Sequence, residues 1–151
     1  MRNNVAGTII SIIVLFIGLV ILPTYYNSMI QQRDDAVTVQ TATRNFIDTV
    51  IDSKQITKEA LAEFNLQLSA CSTIKTYDIY REQKVVNPDG SGGYTISWVH
   101  TPVDVGDVWS QGDIITVVVS TSSYSIHERI SMLMLGAYAH PDTCRLSGMI
   151  R

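Results

Sequence analysis

From residue 5 to residue 22 the chain carries no charge, and only Thr8 and Ser11 interrupt the apolar side chains with hydroxyls. Eighteen residues make about 27 Å of α-helix, close to the hydrocarbon thickness of a bilayer. Pro-Thr-Tyr-Tyr follows at 23–26. From 27 to 53 there is no Gly or Pro, and apolar residues recur at Ile30, Ala36, Val37, Phe46, Ile47, Val50 and Ile51. Their steps of 3, 4 and 7 are helical, while Gln31, Gln32, Asp34, Asp35, Arg44 and Asp48 fall on other faces. Pro23 can kink a long helix without ending it. The pattern predicts one helix of about 45–50 residues, apolar all round at first and amphipathic afterwards.

The pattern then changes. Thr57 reads as an N-cap, with Ile56 placed to staple onto Leu61, ahead of a short helix whose face is Leu61, Phe64 and Leu68. Between 73 and 86 β-type residues alternate, with Lys75, Tyr77, Ile79, Arg81, Gln83 and Val85 on one face. Asn-Pro-Asp-Gly-Ser-Gly-Gly at 87–93 has the composition of a turn, and Tyr94, Ile96 and Trp98 line a second strand that ends before Pro102. Residues 114–121 are a nearly continuous β-branched run, as a central strand requires. Cys144, Leu146, Gly148 and Ile150 alternate in a final strand. Residues 124–139 fit a helix through Ile130, Leu133 and Met134, although a strand or loop also fits. Met132 to Leu135 reads as an apolar patch of the core, with a subunit contact as the alternative. The expected fold class is α+β: a long N-terminal helix, serving as a membrane or filament spine, packed on a small antiparallel sheet. Three segments are expected: a membrane-type helix at 1–26, its amphipathic continuation at 27–53, and a small α+β globular domain at 54–151.

The apolar run is too long for an ordinary secretory h-region, and its exit, Leu-Pro-Thr-Tyr-Tyr-Asn-Ser-Met, offers no small-x-small cleavage site. Tyr25 and Tyr26 suit a membrane–water interface. Arg2 precedes the run, whereas Arg33 is balanced at once by Asp34 and Asp35. The positive-inside rule therefore predicts a retained single-pass anchor, with the N-terminus cytoplasmic and the bulk of the chain outside.

Composition narrows the chemistry. The 151 residues carry a formal charge of −3, so nothing invites nucleic acid. Cys71 and Cys144 show no metal-type spacing. Outside the cytoplasm the pair could form a disulfide, stabilising by about 4 kcal/mol on the chain-entropy model, and otherwise they are two buried thiols. His100, His127 and His140 are dispersed, and no Gly-x-Ser-x-Gly elbow accompanies the serines, so neither a zinc site nor a hydrolase is expected. Asn87, Asp89 and Ser91, followed by Gly92, match the opening of an EF-hand calcium loop, to which Asp104, Asp107 and Asp113 could add ligands only if the loops meet. The twelfth position, however, is Trp98 where a bidentate Glu is needed, and the same residues are the vocabulary of a hairpin turn. The turn is the expected role. No cofactor and no enzymatic activity are expected.

A basic leader, a membrane-length apolar helix, a proline near its end, an amphipathic continuation and a C-terminal sheet domain together resemble type IV pilins and pseudopilins. The pattern of residues 43–69, followed by Gly-Asp-Ile-Ile-Thr-Val-Val-Val at 112–119, looks like membrane-anchored Tad-type minor pilins of Gram-positive bacteria. The resemblance implies a structural subunit of a pilus-like filament at the cell surface, which partners itself and other pilus or secretion components and sits in membrane lipid before assembly. The alternative is a single-pass accessory protein of a secretion or conjugation machine that binds partners through its sheet domain. One departure is visible. In the family a leader ends in Gly or Ala and the mature helix carries a glutamate at its fifth position; if Gly7 ended the leader, that position would be Ile12, and no acidic residue occurs before Asp34. Gly7, Ser11 and Gly18 are candidate close-approach points for helix packing, with Pro23 as the candidate kink, since small side chains let helix backbones come together.

Overall fold

A computed structural model describes residues 5–136 and 142–151; Arg2 and His140 lie outside the described residues, as does the end of the 124–139 stretch. Helical geometry runs without interruption over Val5–Ser53. It comprises α1 (Val5–Phe16), a π-helical turn (Ile17–Ile21) and α2 (Leu22–Ser53). The wide turn falls immediately before Pro23, where a ring without an N–H would collide with the carbonyl four residues earlier. The Leu22 N–H reaches back to the Ile17 carbonyl, five residues away, and the helix continues. The proline thus produces a π turn in place of a break.

α3 (Lys58–Ser69) begins where expected: the Thr57 hydroxyl accepts the Ala60 N–H at 3.1 Å. Strands β1 (Lys75–Pro88), β2 (Tyr94–Pro102), β3 (Ile114–Thr121) and β4 (Thr143–Met149) form one antiparallel sheet in the order β2-β1-β3-β4. The β-branched run is an inner strand, as its composition requires. α4 (Ile126–Leu135) resolves the open segment as a helix, started by a Ser125/Glu128 capping box and stopped at Gly136, whose φ is 62°.

The chain forms two compact units. One contains the described residues through Asp34 together with α4 and its flanks. The other contains Asp35–Ser123 and residues 142–151. The division between the units falls at 34/35, within α2, and the second half of α2 belongs with the sheet because it supplies that unit's core.

In this second unit Val39, Ala42, Phe46, Ile47 and Val50 pack with Phe64, Leu68, Ile115, Val117, Val119 and Ile150. Phe46 stacks on Phe64 with centroids 4.8 Å apart, and Phe64 meets Tyr77 edge-on at 5.1 Å, pairs worth about 0.5–1.5 kcal/mol each beyond their buried area. The phase of α2 differs from expectation. Ala36 and Val37 are exposed, while Asp35, Val39, Ala42 and Thr43 lie on the buried stripe. Two polar residues can sit there because their groups are paired. The Thr43 hydroxyl donates to the Val39 carbonyl at 2.7 Å. The Asp35 carboxylate accepts the Ser72 N–H at 3.0 Å, the Ser72 hydroxyl at 2.7 Å and the Thr73 hydroxyl at 3.3 Å.

The helix lies close to β4 at Gly148. A Cβ there would stand 2.5 Å from Ile47 Cγ2 and 2.8 Å from Ile51 Cδ1. Ile47 is β-branched and buried, so it has little freedom to give way. Gly148→Val should therefore destabilise the sheet unit by about 1–3 kcal/mol through overpacking. Denaturation of the full chain followed by Trp fluorescence measures this, and an unchanged midpoint would contradict the close approach.

Candidate functional site

The N-terminal helix is the feature with most to explain. None of the residues of α1 or the π turn is buried, although nearly all are apolar. The chain thus has a long apolar N-terminal helix compatible with a single membrane span. A helix pairs most of its backbone polar groups within the segment, as a hydrocarbon environment demands. The Ser11 hydroxyl donates to the Gly7 carbonyl at 2.9 Å, so this polar side chain is also paired within the helix. Gly7 and Ser11 lie one turn apart as expected. Gly18 sits inside the π turn with nothing within 4 Å of where a Cβ would stand. A π turn carries an extra residue, so positions beyond it are rotated relative to an unbroken α pattern.

The other candidates resolve differently. Asp89 is committed to its own turn: its Oδ1 accepts the Ser91 hydroxyl at 2.8 Å and the amides of Ser91 and Gly93 at 2.9 and 2.8 Å. The Asn87 side chain donates to Ser97 Oγ across the hairpin at 3.1 Å. Asp113 pairs with Arg81 at 3.5 Å and accepts from Gln83 and the Ser110 amide, while Asp107 accepts the Asp104 amide. Asp89 and Asp107 serve their own turns and Asp113 ties its loop to β1, and no group of three or more His, Cys, Asp or Glu gathers among the described residues. His100 lies 3.4 Å from Glu82, and His127 packs on Tyr25.

Cys71 and Cys144 are half-buried and unbonded. Burial pushes the Cys71 thiol up, the Asp35 carboxylate adds to this, and Lys75 partly offsets it. Burial alone raises Cys144. Both are held away from the reactive thiolate form.

Two surfaces depart from what the sequence pattern implies. Tyr94, Ile96 and Trp98 pair with Pro88, Val86 and Lys84, on the opposite side of the sheet from Tyr77 and Ile79. Because cross-strand partners share a face, this apolar row points away from the helical core, and Tyr94 and Trp98 remain 75% and 46% exposed. The second is the Met132-to-Leu135 patch, which is not core: no residue of α4 is buried, and Leu133 is 87% exposed. A ten-residue helix leaves its apolar side open when nothing packs on it.

Sequence reasoning also missed a cluster that closes the 103–113 loop. The Arg81 guanidinium lies 4.5 Å from the centroid of the buried Trp109 ring, donates to the Val108 carbonyl at 2.7 Å and pairs with Asp113. On the other side of the sheet Glu82 gathers Thr116, Arg145 and His100. Both clusters tie strands and loops together, and the register of three strands is needed to bring them into contact.

No protein-family model, curated protein or solved structure matches the chain.

The Asp89 turn has a pH signature. Hydrogen bonds from the Ser91 hydroxyl, then from the Ser91 and Gly93 amides, hold its carboxyl below the ordinary range. A depressed carboxyl stabilises the turn fully above the unfolded value of about 3.9 and loses that contribution as pH falls through the lower folded value. The amide resonances of Ser91 and Gly93 should therefore titrate together with a midpoint below about 3.9, and Asp89→Asn should abolish the step. A midpoint at or above the ordinary carboxylate value would contradict this assignment.

Proposed function

We propose that this chain is a structural subunit of an extracellular pilus-like filament, anchored in the membrane before assembly and carrying no enzymatic activity. The observation that supports this reading most is the continuity of one helix, Val5–Ser53. Its first part exposes an uncharged apolar surface all round, while its second part supplies the core of a sheet-bearing unit. An isolated anchor needs no such continuity; a spine that must carry its domain into an assembly does. In this reading the N-terminus is cytoplasmic and the sheet unit lies outside, because Arg2 precedes the span while Arg33 beyond it is balanced by Asp34 and Asp35. The partners are further copies of the chain, other pilus or secretion components, and membrane lipid before assembly.

The exposed row Tyr94-Ile96-Trp98 favours a second reading, a single-pass accessory protein of a secretion or conjugation machine that binds a partner through its sheet. A contiguous apolar patch on an exported domain is a common mark of such contacts. The two readings separate on shearing cells: a filament subunit leaves with the surface fraction, whereas an accessory protein stays with the membranes.

The anchor itself is testable. Arg in place of Leu15 should cost about 2.5–3.5 kcal/mol of insertion free energy near the helix centre. The variant should be lost from membranes and filaments, and membrane retention at the parent level would sink the anchor.

Assembly is tested separately. Ser11→Leu with Gly18→Leu raises hydrophobicity, so insertion should survive, while a packed helix seam should open and filament yield fall. Normal filaments from the double variant would leave these small residues without a role in packing.

A further inference from the structure

We propose that α4 lies in the membrane–water interface, with the apolar stripe Ile126, Ile130, Leu133 and Met134 entering the headgroup layer of the bilayer that the N-terminal helix spans. This rests on the anchor reading above, and three observations within one compact unit point to it.

The first is where α4 is attached. The His127 N–H donates to Ser28 Oγ at 2.9 Å, the His127 ring lies 4.7 Å from that of Tyr25, and Gln32 Nε2 donates to Glu128 Oε1 at 3.5 Å. The last residue of the apolar run is Leu22. Tyr25 and Ser28 stand three and six residues beyond it, about 4.5 and 9 Å along a helix. The interfacial layer is roughly 5–8 Å thick on each side of the hydrocarbon, so Tyr25 falls within it and Ser28 at its outer edge.

The second is which way α4 is turned. At 3.6 residues per turn, Ile126, Ile130, Leu133 and Met134 share one stripe, His127 borders it, and Glu128 lies opposite. His127 touches Tyr25, close to the span, whereas Glu128 reaches Gln32, two turns farther out. The stripe is therefore on the side of α4 nearer the membrane.

The third is that the stripe is uncovered. Ile126, Leu133 and Met134 are 56%, 87% and 54% exposed. Caps fix the ends of α4, but a helix this short is marginal in water without burial of its apolar face. Arg129 is exposed beside the stripe, placed to meet anionic headgroups. A lipid surface already present at this level along the helix supplies the missing cover, as it does for amphipathic helices that lie on bilayers.

The test uses the full chain in vesicles of mixed zwitterionic and anionic phospholipid, with Cys71→Ala and Cys144→Ala as background. Single cysteines introduced by Leu133→Cys, Ile126→Cys, Leu15→Cys and Ser91→Cys carry an environment-sensitive fluorophore. The expected result is a blue shift at positions 133 and 126, with most of their emission lost to lipid bearing a nitroxide near the headgroup. Position 15 should be quenched by a mid-bilayer nitroxide and position 91 by neither. If 15 is quenched while 133 and 126 behave like 91, the anchor stands and the interfacial helix is overturned. If 15 also behaves like 91, the anchor reading fails and takes the proposal with it. A blue shift at 133 and 126 that appears only on raising the protein-to-lipid ratio, without lipid quenching, means that a second copy covers the stripe, which overturns the proposal. Agreement between 126 and 133 guards against a local distortion by either substitution.

Discussion

The second half of α2 must bury one stripe against β3 while the same helix begins in a segment that buries nothing. The rest of the sheet unit follows from that seating. Phe46, Ile47 and Val50 can reach Ile115, Val117 and Val119 only if the strand beside them yields space, and β4 yields it with Gly148. Close packing at interior density makes such a position intolerant of even one added methyl group. The Ile150 N–H then bonds the Asp113 carbonyl at 2.9 Å, and Gly112 returns a bond to Ile150, so the last strand is fastened to the loop that enters β3.

Several polar groups near this core are paired where they are buried, although the Trp109 indole Nε1 is buried without a hydrogen-bond partner among the described residues. Asp35 takes up the Ser72 amide and two hydroxyls, so the chain leaving α3 is held to α2 by a carboxylate where an apolar contact would have served no donor. Thr116, on the far side of β3, reaches both Glu82 and Ser147. Helix α2 ends with Lys54 at a φ of 54°, a conformation that normally favours glycine, and its carbonyl accepts the Trp109 amide at 2.9 Å. Tertiary hydrogen bonding there offsets a local strain of about 1–2 kcal/mol.

Much of this was legible in the residues themselves. The length of the N-terminal helix, the Thr57 cap, the hairpin, the inner position of β3 and the alternation of β4 all rest on local period and local caps, which a single chain displays. What was not legible depends on partners distant in sequence. The phase of α2 was misjudged at Ala36 and Val37 because Asp35 and Thr43 look like surface residues until their acceptors and donors are known. The outward face of Tyr94, Ile96 and Trp98 depends on the β1–β2 register, in which Trp98 opposes Lys84. Four apolar residues at 132–135 look like core in any composition-based reading, and only the packing shows that Leu133, Met134 and Leu135 are exposed. Of the candidate calcium residues, Asp89 and Ser91 lie in the hairpin turn that Pro-Asp-Gly with two further glycines implies, while Asn87 belongs to the end of β1.

Among the described residues, the apolar surfaces left open include the first turns of the N-terminal helix, the α4 stripe and the β2 row. Their physical demands differ. The helix is apolar on every side, which fits hydrocarbon and equally fits a bundle of like helices. The α4 stripe is narrow, bordered by His127 and Arg129, and fits a boundary between apolar and aqueous phases. The β2 row is flat and aromatic, on an edge strand whose outer backbone groups pair with no other strand of the sheet. Edges of that kind invite another chain unless they are protected, and the Pro88 and Pro102 that end β1 and β2 limit how far such pairing could extend. A fold that closes one core while leaving chemically distinct apolar surfaces exposed among the described residues is one whose stability and whose contacts are handled by different residues. That separation allows the helix, the stripe and the strand each to be altered without unfolding the sheet unit.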